Sequence, residues 1–289
     1  LLDVERPSKA VLVLILNRKK ERKVAVPVLT TLLERVATTP PGEEGSAVDP
    51  YHVQELLKEI QKDPTADETQ LARLEWAYLP ILDEHSLLPH TLHRLLSKDP
   101  NFFYELLEVV YKPRNAQLEE EPPPDERRRA QVQKAWRLLH DWSRIPGTKA
   151  DGRIDPEELL TWVRKTRQLA EAGDRIEVCD VTIGGLFANS KSEPDGSWPC
   201  IAVREVFEET DSRELERGFS SGVMNSRGVY TKAIGEGGIQ ERELATKYER
   251  FAEASLTKWP RTASALMSIV ASYRDYAARE DSAAERQRL

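Results

Sequence analysis

The segment Gly147–Glu158, GTKADGRIDPEE, is spaced like a calcium-binding loop. With Gly152 at the sharp-turn position, Ile154 takes the apolar position and Asp151, Asp155 and Glu158 take three ligand positions. The same alignment puts Gly147 first and Lys149 third, where carboxylates are needed. The simpler reading is a turn at Asp151-Gly152 and then an Asp-capped helix, with Pro156 at its first position and two glutamates against its positive end. A second candidate is HSLLPHTLH, where His85, His90 and His93 lie close together. His90 and His93 are three apart at a helix start and could share a face. Zinc needs more: no Cys, HExxH or flanking carboxylate pair completes a set, though Asp83 and Glu84 are nearby. The five histidines all precede residue 141, and the two cysteines, Cys179 and Cys200, follow it. No Ser-His-Asp or Cys-His arrangement can be nominated, and no metal or cofactor is expected.

Two further groups can be weighed the same way. Gly235-Glu-Gly-Gly-Ile suggests a phosphate loop, but there is no GxxxxGK[ST] and no preceding strand, and Glu236 places negative charge inside the nest. Its simpler role is a tight connection before a helix. The basic runs Arg18–Lys23 and Arg127–Arg129 could contact phosphate. Neither is interleaved with aromatics, as a single-strand binding surface would prefer, so each reads as a helix end or a solvated face. Glu205, Glu208 and Glu209 read as a solvated helix face.

The stretch from Asp195 to Glu241 mixes Trp, Pro, Arg and Gly in an order that no helical pattern requires. Trp198, Arg204, Arg227, Gly235, Gly237 and Gly238 are its candidate binding residues. They form either a docking face, with Trp198 as its surface anchor, or an internal brace. Of the six tryptophans, Trp76, Trp136, Trp142 and Trp162 fall in helical patterns and read as core. Trp198 and Trp259 each precede a proline that would start a helix.

The elements that must position these residues are helices. Asp49-Pro50, Asp99-Pro100 and Asp155-Pro156 repeat one start signal, an Asp N-cap with Pro at the first helical position. Helices are expected at about 24–36, 50–62, 67–84, 90–97, 100–112, 125–144, 156–173, 175–188, 200–209, 211–219, 239–257 and 262–286. Leu71, Leu74, Tyr78 and Ile81 mark one buried stripe, and Phe103, Leu106, Leu107 and Val110 another. Ile176–Ile183 alternates like a strand but is read as helix. The fold class is therefore all-α, with stacked helix pairs in a HEAT-like α-solenoid array, although no fixed repeat period is found. The Pro/Glu-rich segment 114–126 is expected to separate a subdomain over 1–113 from one over 127–289.

Composition bounds the rest. The 289 residues can bury a sizeable core, and the net charge of −7 argues mildly against a nucleic-acid binder. Two separated cysteines suggest no disulfide framework and a reducing cytoplasm. No apolar run reaches the ~20 residues of a membrane span. The chain starts Leu-Leu-Asp, which suggests a piece cut from a longer protein.

The pieces DGSWP…VRE (195–205), NSRGVYTKAIGEGGIQERELATKYERF (225–251) and WPRTASALMSIVASYRDYAARED (259–281) resemble the C-terminal helical region of very large bacterial proteins without assigned activity. LARLEWAYLPIL (71–82) and LHRLLSKDPNFFYELLEVVY (92–111) resemble the region just upstream in those proteins. The resemblance implies a shared helical role in a multi-domain protein of defence or signalling type, and transfers no catalytic residue. The expectation is a non-catalytic interaction or scaffold module, bound to a protein partner or to other domains of its parent. A nucleic-acid-binding array and an enzyme with an unrecognised site are the alternatives.

Overall fold

The computed structural model describes residues 10–11, 24–38, 48–82, 87–116, 125–228, 231–233 and 236–288. Among these the chain is all-α, with twelve helices from Val26 onward. They are α1 (Val26–Thr38), α2 (Pro50–Lys62), α3 (Glu68–Tyr78), α4 (His90–Lys98), α5 (Pro100–Val110) and α6 (Glu126–Asp141). Then follow α7 (Pro156–Ala172), α8 (Ile176–Phe187), α9 (Ile201–Glu209), α10 (Arg213–Asn225), α11 (Ile239–Ser255) and α12 (Pro260–Arg288). The described residues pair in β fashion only at the isolated bridge Thr148–Ile154.

The three Asp-Pro starts open α2, α5 and α7. Asp49 accepts from the Tyr51 amide, Asp99 from Asn101 and Asp155 from Glu158. A cap and its target lie within three residues, so local sequence suffices to place them. Three expected bounds shift for local reasons. The helix expected over 67–84 stops at Tyr78 and becomes a single 3-10 turn at Leu79–Ile81, because Pro80 has no N–H to continue it. The helix expected over 211–219 runs on to Asn225. Pro199 does not start α9, which begins at Ile201.

The chain divides into two compact units, 1–95 with 124–141, and 96–123 with 142–289. Of the segment 114–126, residues 117–124 lie outside the described ones. In the smaller unit α1, α2 and α3 enclose Leu29, Leu33, Leu57, Ile60 and Leu74. Tyr78 lies against this cluster, and its hydroxyl donates to the Leu33 carbonyl at 2.7 Å. α6 belongs to this unit, and Lys134 and Arg137 donate to the carbonyls at the end of α3 and of the 3-10 turn.

The larger unit is built from helix pairs: α8 with α10, α7 with α9, and α11 with α12. Phe103, Trp142 and Trp162 form one aromatic cluster in it, with ring centroids 5.1–5.8 Å apart. Ile176–Ile183 is helical, as α8, and its ends are held by Arg175 carbonyl and Gly185 carbonyl bonds.

The α8–α10 pair packs backbone against backbone. A Cβ on Gly218 would meet the Val181 Cα at 2.8 Å, and one on Gly222 would meet the Gly185 carbonyl oxygen at 2.7 Å. Alanine at Gly218 would gain about 1 kcal/mol in helix propensity. The clash falls on rigid backbone, however, and overpacking typically costs about 1–3 kcal/mol. Gly218→Ala is therefore expected to lower the urea midpoint. Gly185→Ala is the control, because its nearest neighbour, the Gly218 oxygen, lies at 3.8 Å and leaves room.

Candidate functional site

The loop before α9 is closed on itself. Glu193 and Ser197 pair through their backbones, and Asp195 accepts from the Ser197 amide and hydroxyl. This turn aims Trp198 inward. Its indole N–H donates to the Ser190 carbonyl at 2.7 Å, and its ring stacks on Phe219 with centroids 5.1 Å apart. Tyr248 and Phe251 of α11 complete the enclosure. Trp198 is 8% exposed, so its expected role as a surface anchor is corrected: it is a core residue carried by a loop.

Arg204 is buried as well. Its Nε donates to the Pro199 carbonyl at 2.6 Å and its Nη2 to the Ser197 hydroxyl at 2.7 Å. The guanidinium thus spans the turn that holds Trp198, replacing the water those carbonyl and hydroxyl groups would otherwise bind.

Arg227, Gly237 and Gly238 belong to a second assembly, built around Glu241. That carboxylate is 1% exposed and receives Arg227 Nη1 at 2.6 Å and Lys232 Nζ at 2.8 Å. Lys232 also reaches Glu280 of α12 at 3.0 Å. Burial would raise the Glu241 carboxyl, but the Lys232 and Arg227 cations outweigh it and hold the group below the ordinary carboxylate range. The Gly238 amide donates to Asp281 at 2.8 Å, and a Cβ on Gly238 would meet the Ala277 carbonyl carbon at 2.7 Å. These glycines therefore permit α11 to start against α12. Gly235 lies outside the described residues.

The described ones among the nominated residues thus make internal contacts in two assemblies that share α11. Tyr248 faces the first and Glu241 the second, seven residues or about 10 Å apart along the helix. Local sequence did not point to Glu241, Glu280 or Asp281, because their partners lie 9 to 48 positions away, as the Lys232–Glu241, Gly238–Asp281 and Lys232–Glu280 pairs show.

Other candidates take internal partners. Asp155 caps α7, Glu158 and Asp155 pair with Lys149, and Asp151 pairs with Arg153. The basic residue at the third loop position thus occupies two of the carboxylates a calcium ion would need. His90 is exposed, whereas His93 is buried, with its pKa pushed down to about 4 by that burial. His85 and the run Arg18–Lys23 lie outside the described residues. Glu208, read as part of a solvated face, instead caps α12 by accepting from the Arg261 and Thr262 amides. Glu209 pairs with Arg164. Cys179 and Cys200 are buried free thiols. Sequence reading also missed Glu75, a fully buried carboxylate that accepts from the Thr91 and Leu92 amides at the start of α4.

Trp136 corrects another expectation. Trp142 and Trp162 are buried, but Trp136 is 49% exposed. α6 is buried along Ala135, Leu138 and Leu139, and Trp136 falls outside that stripe. No described helix is long and apolar enough to cross a membrane. Comparison with protein-family models, with curated proteins and with solved structures finds no match to the chain.

Proposed function

We propose that this chain is a non-catalytic helical interaction or scaffold module within a larger cytoplasmic bacterial protein of the defence or signalling type. Its helix pairs act as the units of a stacked, solenoid-like array. Its partner is a protein surface or another domain of the parent.

One observation carries this reading. The α11–α12 hairpin exposes Ile239, Leu256, Met267 and Tyr276 at between 41% and 59% of their surface. An open groove of about 640 Å³ runs along α11 between Ile239 and Phe251, with Lys247 and Arg250 on its wall. Aromatic, Met and Arg side chains around apolar surface are the composition that protein interfaces favour. This reading takes the hairpin, rather than the residues around Trp198 and Glu241, as the contact surface.

A photo-reactive amino acid placed at Met267 or Tyr276 in the bacterial host tests this. Protein adducts are expected at both positions and not at exposed Lys58 of α2. Adducts at none of the three would sink the reading.

A further inference from the structure

The groove along α11 lies on the side of that helix away from the core. Glu241, Ala245, Tyr248 and Ala252 form the buried stripe of α11, and Tyr248 stacks on Tyr273 of α12. Glu243, Thr246 and Arg250 fall on the opposite side, with Arg242 and Glu253 along one edge. All five are exposed. The groove thus carries both signs of charge. Glu243, Arg250 and Glu253 make no ion pair with a described residue. The Arg242–Asp281 pair is half exposed, and pairs of that kind contribute little.

The order of these charges matters more than their sum. Glu243 and Arg250 are equidistant from the point between Thr246 and Lys247, and Arg242 and Glu253 straddle nearly the same point. A helix of identical sequence, laid antiparallel across that point, brings its Arg250 to Glu243 and its Glu243 to Arg250. Along one edge its Glu253 comes beside Arg242, and the reverse contact follows from the two-fold axis. Ile239, 48% exposed, comes opposite Ala254 of the copy. Thr246 has the shortest side chain in the groove and sits beside the axis, where the two helices must approach most closely. The two Lys247 side chains lie along the other edge, each between the Glu243 carboxylates.

We propose that the groove of α11 is filled by a second copy of this chain, with α11 antiparallel on α11 about a two-fold axis between Thr246 and Lys247. This names the partner of the hairpin surface and rests on the reading of that surface as a contact site. An acidic partner helix would set like charge against Glu243 and Glu253, and a basic one against Arg242, Lys247 and Arg250, which costs affinity. An alternating partner satisfies both signs, and the copy supplies that alternation in register. One helix of 17 residues is about 25 Å long and 10 Å wide, well short of the ~800 Å² per partner of a standard interface, so the dimer is weak.

Sedimentation equilibrium of the full chain over a range of concentrations is the test. Glu243→Arg or Arg250→Glu places two like-charge contacts in the dimer and should weaken self-association by at least about 10-fold. Carrying both substitutions restores opposite charges and should recover most of the wild-type affinity. With helix axes roughly 8–10 Å apart, a cysteine beside the axis meets its copy within disulfide reach. Oxidised Thr246→Cys should therefore give a covalent dimer, and Ser268→Cys, exposed on α12, should not. Cys179 and Cys200 are buried and do not compete.

A chain that stays monomeric at all concentrations overturns the pairing, as does self-association that both single reversals leave unchanged. A charge-swapped double variant no stronger than the single ones overturns it too, and so does equal covalent dimer from Ser268→Cys. Adducts to other proteins at Met267 or Tyr276 from a monomeric chain would overturn the copy as occupant and leave the hairpin reading standing.

Discussion

Trp198→Ala is expected to destabilise the larger unit by about 3–5 kcal/mol, the range for removing a large aromatic from a core. The side chain is enclosed by Phe219, Tyr248 and Phe251 and satisfied through Ser190. Truncation would leave a cavity in the centre of the α9–α10–α11 packing. Water cannot fill it favourably, because the walls are aromatic. Urea unfolding followed by circular dichroism measures the loss. Trp198→Phe should recover part of the packing but not the bond to Ser190, and so fall between the two. Wild-type stability in the alanine variant would contradict the burial and return Trp198 to the surface role expected from sequence.

Glu241→Ala is expected to have an effect of similar size, about 3–5 kcal/mol, by a different route. It leaves the Arg227 and Lys232 cations in a largely enclosed space without the carboxylate that both were facing. Lys232 keeps Glu280 at 3.0 Å and Arg227 keeps Gln240 at 3.2 Å, but each loses its nearest counter-ion in an enclosed space, which costs more than the pair itself contributes. Glu241→Gln keeps the shape and should still destabilise.

The pH dependence follows from the sign of the shift. The folded-state carboxyl lies below its ordinary value, so its contribution is present above the unfolded carboxylate range, near 4.3. It is lost as pH falls through the folded value. Glu75, and Asp180 of α8, which is buried against Arg167 and Ser212, act in the opposite sense, because burial raises both carboxyls. Their protonation favours the folded state as pH falls. The melting temperature of the wild type should therefore drop more steeply in acid than that of Glu241→Gln. Parallel curves would show that Glu241 is not the group responsible.

The parts of the fold legible in sequence are those whose cause is local. An Asp N-cap and a Pro at the next position act within three residues, and the three Asp-Pro starts are found where that pattern puts them. The Leu71–Leu74 and Phe103–Leu107 stripes are legible for the same reason, since helical spacing alone defines them. Trp198 and Trp136 were read the wrong way round. Polar neighbours made Trp198 look exposed, but its enclosure comes from α10 and α11, 21 and more residues away, as the Phe219 contact shows. Helical context made Trp136 look buried, yet the buried stripe of α6 passes beside it. Gly218 and Gly222 gave no sign of a helix crossing, because close backbone approach is a property of two elements at once.

α11 links the two braces as a single rigid member. One end is held by the Glu241 assembly, and its middle by Tyr248, which meets Trp198 edge to face and stacks on Tyr273 with centroids 5.7 Å apart. Opening of the turn over 193–200 is therefore expected to be coupled to opening of the Glu241 assembly. Hydrogen exchange is expected to show Trp198 and Gly238 amides losing protection together, and a substitution in either assembly is expected to be felt in the other.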